Sequence, residues 1–160
     1  MRHDLVIHET DAARIDAVLE RFLSDSGGAA VLLIDRSGEP LAMAGASRTL
    51  DTVSIAALAA GAFSSTAALA RLLGESEFSV LFHEGAKESL HVSTVDDDAI
   101  LLAIFDDRTT VGMVRLFARE ASQALGAILV EARKRPRRTG VLAAPLTPEK
   151  VRSAIRQRPE

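Results

Sequence analysis

The chain has 160 residues, 48% apolar and 26% charged, enough for one packed domain with an appendage. It has no cysteine, which excludes disulfides, thiolate zinc sites and cysteine nucleophiles; it also lacks Trp and Tyr, leaving six Phe as a poor supply of base- or sugar-stacking rings. The net charge of −3 hides a division, because residues 1–132 hold 10 Lys and Arg against 20 Asp and Glu, whereas residues 133–160 hold 9 against 2.

The N-terminal stretch MRHDLVIHETD lacks the apolar run of a signal peptide, and no window is expected to reach the roughly 20 apolar residues of a membrane span. A soluble, unexported, cytoplasmic protein is the expectation. The first helix is predicted over Asp11 to Ser26, where Ile15, Val18, Leu19, Phe22 and Leu23 share one face, with Thr10 as its cap and Gly27 as its end. Residues 29–34 are continuously apolar and predict a strand covered on both faces. The turn Asp35-Arg36-Ser37-Gly38 joins it to a second strand over residues 39–46.

A long Ala-rich helix is predicted from Asp51, as N-cap, to Leu73, with Gly74 just beyond it. Strands over residues 78–84, 89–94 and 99–106 follow as a meander, divided by Gly85-Ala86-Lys87 and Asp96-Asp97-Asp98. The last long helix should start near Thr109 or Thr110 and run to about Lys134, closed by Pro136, burying Val114, Phe117, Ala121, Ala124, Leu125, Ile128 and Leu129. The order α-β-β-α-β-β-β-α with hairpin connections predicts an α/β (α+β) domain over residues 5–134, with a five-stranded antiparallel sheet flanked by helices. Residues 135–160 form a basic linker and a short helix candidate, with Thr147 as cap, Pro148 at its first position and Leu146 stapled to Val151.

Searches for chemistry are negative. No phosphate-binding G-x-x-x-x-G-K-[ST], G-x-G-x-x-G, H-E-x-x-H or G-x-S-x-G occurs, so no cofactor and no catalytic residue is assigned. The histidines do not fall at helical ligand spacing; His83 and His91 lie in adjacent strands, where ordinary half-exposed histidines outweigh a metal pair, and no metal site is assigned. A calcium loop beginning at Asp96 would need Gly at its sixth position and Glu at its twelfth, where Leu101 and Asp107 stand, so Asp96 to Asp98 and Asp106-Asp107 are read as turn residues.

The second helix is more informative. Ile55, Leu58, Ala59, Ala62, Leu69, Leu72 and Leu73 suggest a core stripe, and the opposite stripe is Ala57, Gly61, Ser64, Ala68 and Arg71. A solvated face would hold Lys and Glu, and a mid-helix Gly costs up to about 1 kcal/mol relative to Ala, so this small-residue stripe is the candidate contact surface.

The strings FLSDSGGAAVLLIDRSGEPLAMAGA (22–46), LDTVSIAALAAGAFSSTAALARLLGESEF (50–78), FHEGAKESL (82–90) and AILLAIFDDRTTVGMVRLFA (99–118), within a span of residues 5–133, resemble the Roadblock dynein-light-chain family and its MglB-type bacterial branch. That resemblance implies a Roadblock/profilin-like fold and a homodimer formed through the second helices and the sheet edges. It implies a Ras-like small GTPase of the MglA type as partner, whose own catalytic residues the regulator repositions without donating an arginine. The setting implied is bacterial cell polarity or gliding motility, with concentration at a cell pole. The tail residues Lys150, Val151, Arg152 and Ile155 are candidates for a further GTPase contact. Two alternatives stand beside this reading: a Roadblock scaffold that binds a GTPase without activating it, and nucleic-acid or anionic-membrane binding by the basic tail. The acidic body and the absence of a recognition module weigh against the second, so no specific nucleic acid is expected.

Overall fold

The computed structural model describes residues 5, 7–45 and 50–135. Pro136 and the tail candidates Lys150, Val151, Arg152 and Ile155 lie outside them. Eight elements follow in the expected order: α1 (Glu9–Ser26), β1 (Ala30–Asp35), β2 (Pro40–Gly45), α2 (Thr52–Leu72), β3 (Val80–His83), β4 (Ser89–Asp96), β5 (Ala99–Phe105) and α3 (Val111–Lys134). The strands form one antiparallel sheet in the order β2-β1-β5-β4-β3.

Local chemistry sets the boundaries. The cap of α1 is His8, whose side chain makes no capping bond, rather than Thr10, which lies inside the helix. Asp11 in its first turn is fully buried and binds Arg135 at 2.7 Å, which ties this end to the C-terminal end of α3. Gly27 ends the helix at φ 71°, the left-handed conformation expected of it. In the turn between β1 and β2, the Asp35 carboxylate accepts hydrogen bonds from the Ser37 hydroxyl and from the backbone N–H groups of Ser37 and Glu39. Gly38 there has φ 98°, and an added Cβ would lie 2.9 Å from the Ala57 Cα of α2, so the turn is fitted to the helix. Asp96 to Asp98 also serve a turn: Asp98 N–H donates to the Asp96 carboxylate at 2.9 Å, and Arg133 of α3 pairs with Asp96 at 2.8 Å and Asp98 at 3.4 Å.

The sheet has two covered faces. On one, Val31, Leu33, Leu101, Ala103 and Phe105 pack with Ile15, Leu19 and Phe22 of α1 and with Val114, Ala118, Ala121, Leu125, Ile128 and Leu129 of α3. On the other, Leu32, Ile34, Val92, Ile100 and Leu102 receive Ala56, Ala60 and Phe63 of α2. That double cover explains the unbroken apolar run of β1, and β5 between β1 and β4 is buried along its whole length. In α3, Phe117 is only half-buried and Ala124 is exposed, while Ala118, Ser122 and Ala132 are buried; the face turns slightly from the expected one so that small residues meet the sheet.

The expectation that no segment would match a membrane span needs correction: α2 is long and apolar enough by length and composition to cross one. It instead lies against the sheet.

Candidate functional site

Helix α2 begins where the Asp51 carboxylate accepts from the Ser54 N–H at 3.1 Å and from the Ser54 hydroxyl at 2.6 Å. Those bonds, the side-chain one first, hold the Asp51 carboxyl below its ordinary value. Ala56, Ala60, Phe63 and Ala70 face inward. Small side chains at three of these four positions let the helix axis come close to the sheet, and Phe63 fills the space that remains, with Arg36 stacked over its ring at 5.3 Å.

The expected core stripe is therefore misplaced. Leu58 is 74% exposed, Leu72 84%, and Leu69 and Leu73 are exposed too, while Ile55, Ala59 and Ala62 are half-buried. The physical reason is that α2 is apolar all round, so its period does not say which face meets the sheet; contact with a tightly packed sheet selects alanines, and the leucines fall outside. The five residues of the small stripe, Ala57, Gly61, Ser64, Ala68 and Arg71, are all exposed. Leu58, Leu69 and Leu72 flank them, a signal that was present in the sequence: a helix of 21 residues with one charged side chain, Arg71, has no face suited to water.

The surface is smooth as well as apolar. A Cβ on Gly61 would meet nothing within 4 Å, so the glycine is not required by packing inside the protomer. The Ser65 hydroxyl turns back to the Gly61 carbonyl at 3.0 Å and the Thr66 hydroxyl to the Phe63 carbonyl at 2.7 Å, so these polar groups are occupied by their own helix. β3 is an edge strand, paired on one side only, by β4, as β2 is at the other edge of the sheet; α2 itself packs on β1 and β2. An uncovered apolar helix and an open strand edge are both features that a partner can cover.

The remaining sequence candidates separate. His83 pairs with Leu90 and His91 with Phe82, so the two histidines point to opposite faces of the sheet and cannot share a metal; His91 is buried rather than half-exposed. Among the described residues no group of three or more His, Asp or Glu is placed to hold a metal ion. Arg108 is held by Asp106 through contacts of 2.9 and 3.0 Å, which raise the guanidinium pKa. Arg115 stands on α3, across the sheet from α2.

The family model described as Roadblock/LC7 domain matches residues 14–105. A search of the curated proteins returned no match. Among solved structures, "Myxococcus xanthus MglB" is 40% identical with a TM-score of 0.76, the alignment covering 82% of this chain and 98% of that one. The gliding protein MglB from Thermus thermophilus is 35% identical with a TM-score of 0.76, covering 82% and 99%. "MglB with tetrameric arrangement" is 34% identical with a TM-score of 0.78, also covering 82% and 99%.

Proposed function

The chain belongs to the Roadblock/LC7 family, and we propose that it acts as an MglB-type regulator: a homodimer without an active site of its own that binds a small Ras-like GTPase of the MglA type and stimulates its GTP hydrolysis. The observation that carries this reading is the charge-poor, uncovered face of α2, where Leu58 and Leu72 stand 74% and 84% exposed around a small-residue stripe. In a protein similar to MglB at 34–40% identity, such a face has a use as half of a helix pair. Two α2 helices side by side, with the β3 edges adjoining, cover the leucines and leave a platform of Ala57, Gly61, Ser64, Ala68 and Arg71 for the GTPase.

Stimulation by repositioning the GTPase's own residues fits the state of Arg108 and Arg115, although Arg71 stands exposed on the platform itself. A donated finger must be free to reach the transferring phosphoryl group. Arg108 is engaged by Asp106, and Arg115 lies on the wrong face of the sheet for a partner seated on α2. The process served is cell polarity or gliding motility, and the site of action is the cytoplasm, with concentration at a pole. The tail residues Lys150, Val151, Arg152 and Ile155 add a second contact to the GTPase in this reading.

Sedimentation tests the assembly. The protein alone should run as a dimer, and with a GTPase of the MglA type bound to a non-hydrolysable GTP analogue it should form a complex of two protomers and one GTPase. Deletion of residues 136–160 should weaken that complex without dissolving the dimer. A monomer in solution, or no complex with the loaded GTPase, would refute the proposal; a complex without faster hydrolysis would leave a scaffold.

A further inference from the structure

A cavity of about 680 Å3 lies between α3 and the β3–β4 side of the sheet, on the face away from α2. Its floor carries His91 of β4, 2% exposed, with no hydrogen-bond partner for either ring nitrogen among the described residues. Beside it, the buried Ser93 and Ser122 hydroxyls face each other at 3.4 Å. The wall toward solvent is α3, which contributes Arg115 and Arg119, one turn apart and both exposed. Among the described residues neither arginine has a carboxylate within 4 Å, although the body of the chain is strongly acidic.

Each of these features is costly if it has no purpose. A buried imidazole without partners loses hydrogen bonds that water would supply. Like charges four residues apart on a helix repel. An occupant with an anionic head between the guanidinium groups would relieve the repulsion and lie over a floor of His91, Ser93 and Ser122, the imidazole nitrogens themselves being closed to solvent. Burial first, and then the charge of Arg115, disfavour the charged form of the imidazole. The volume lies in the range of about 300–1,000 Å3 typical of small-molecule sites and is too large for an inorganic anion to fill.

We propose that this cavity is a binding site for a small organic anion, a phosphate monoester or a carboxylate, held by Arg115 and Arg119 at its mouth and resting on a floor of His91, Ser93 and Ser122. The site is separate from the α2 surface and stands or falls independently of the GTPase reading. The basic tail of the chain is a poor occupant, because the mouth is already cationic.

The test follows the His91 ring resonances of the full-length protein, labelled in its histidines, during titration with glycerol 3-phosphate and, separately, with citrate. Glycerol at the same concentrations is the uncharged control. At least one anion should give a saturable shift of the His91 ring that glycerol does not give. The Arg115→Ala/Arg119→Ala variant, altered only at exposed positions and therefore folded, should bind it roughly tenfold or more weakly, as expected when charge-assisted hydrogen bonds are lost. Absence of a saturable shift with either anion would overturn the proposal. So would a shift of unchanged affinity in the double variant, because the anion would then be held elsewhere, on the basic tail for example.

Discussion

At the residue scale, His91 and Asp11 are polar groups placed deep in the domain, and each makes a measurable demand. The His91 imidazole is held below its ordinary value of 6.5 by burial and then by Arg115. As pH falls, the unfolded chain therefore takes up this proton before the folded one, and stability declines from about pH 6.5 downward. Denaturation midpoints should fall between about pH 7 and pH 5, and a His91→Gln variant should lose that part of the slope; an identical slope in the variant would contradict the assignment. Asp11 is the buried end of a pair with Arg135, and Arg14 stands at 3.8 Å. Arg135→Ala should cost about 1–3 kcal/mol in denaturant unfolding, because one buried carboxylate loses its closest partner. Neither group is legible from the sequence. Alternation along β4 predicts a half-exposed His91 because it does not reveal that the outer part of the sheet is still roofed by α3. Cap preference favours Thr10 over His8 because it is blind to the pull of Asp11 into the interior.

At the element scale, α2 separates what periodicity can and cannot say. Its ends are legible, since Asp51 caps it and Gly74 follows it in a left-handed conformation, both from local chemistry. Its orientation is not, because apolar residues surround the axis and the tight approach to Leu32, Ile34, Ile100 and Leu102 favours Ala56, Ala60 and Ala70 over the leucines. The scarcity of charge is readable from the sequence, and the small stripe is exposed. Leu58→Arg and Gly61→Arg should leave the protomer folded, since the first side chain already faces water and the second position has open space. Leu58→Arg should convert a dimer into monomers by sedimentation and Gly61→Arg should weaken GTPase binding; unchanged dimers and unchanged binding would show that the face is only surface. At the start of α3, Thr110→Ala removes the hydroxyl that accepts from the Met113 N–H and should cost about 1 kcal/mol.

At the scale of the whole molecule, the element order and the antiparallel sheet are readable because hairpin turns and short connections constrain the topology strongly. The pairing of β1 with β5, which closes the sheet, is not, because it joins strands far apart in sequence and no local signal encodes it. The division of labour across the sheet follows from that arrangement: α1 and α3 build the larger core and α3 walls the His91 cavity, while α2 leaves its outer face uncovered. Arg108 is engaged by Asp106 and lies outside the proposed face of α2, so on the proposed function an Arg108→Ala variant should stimulate a GTPase at near-normal rate.

If the domain accelerates GTP hydrolysis by a Ras-like GTPase through the outer face of α2, that face must be needed for the chemistry as well as for assembly. The direct measurement is phosphate release in a single turnover by a GTPase of the MglA type preloaded with GTP, alone, with the protein, and with its Leu58→Arg variant. Release should be faster with the protein and close to the unassisted rate with the variant. Equal rates with and without the protein would contradict the proposed activity.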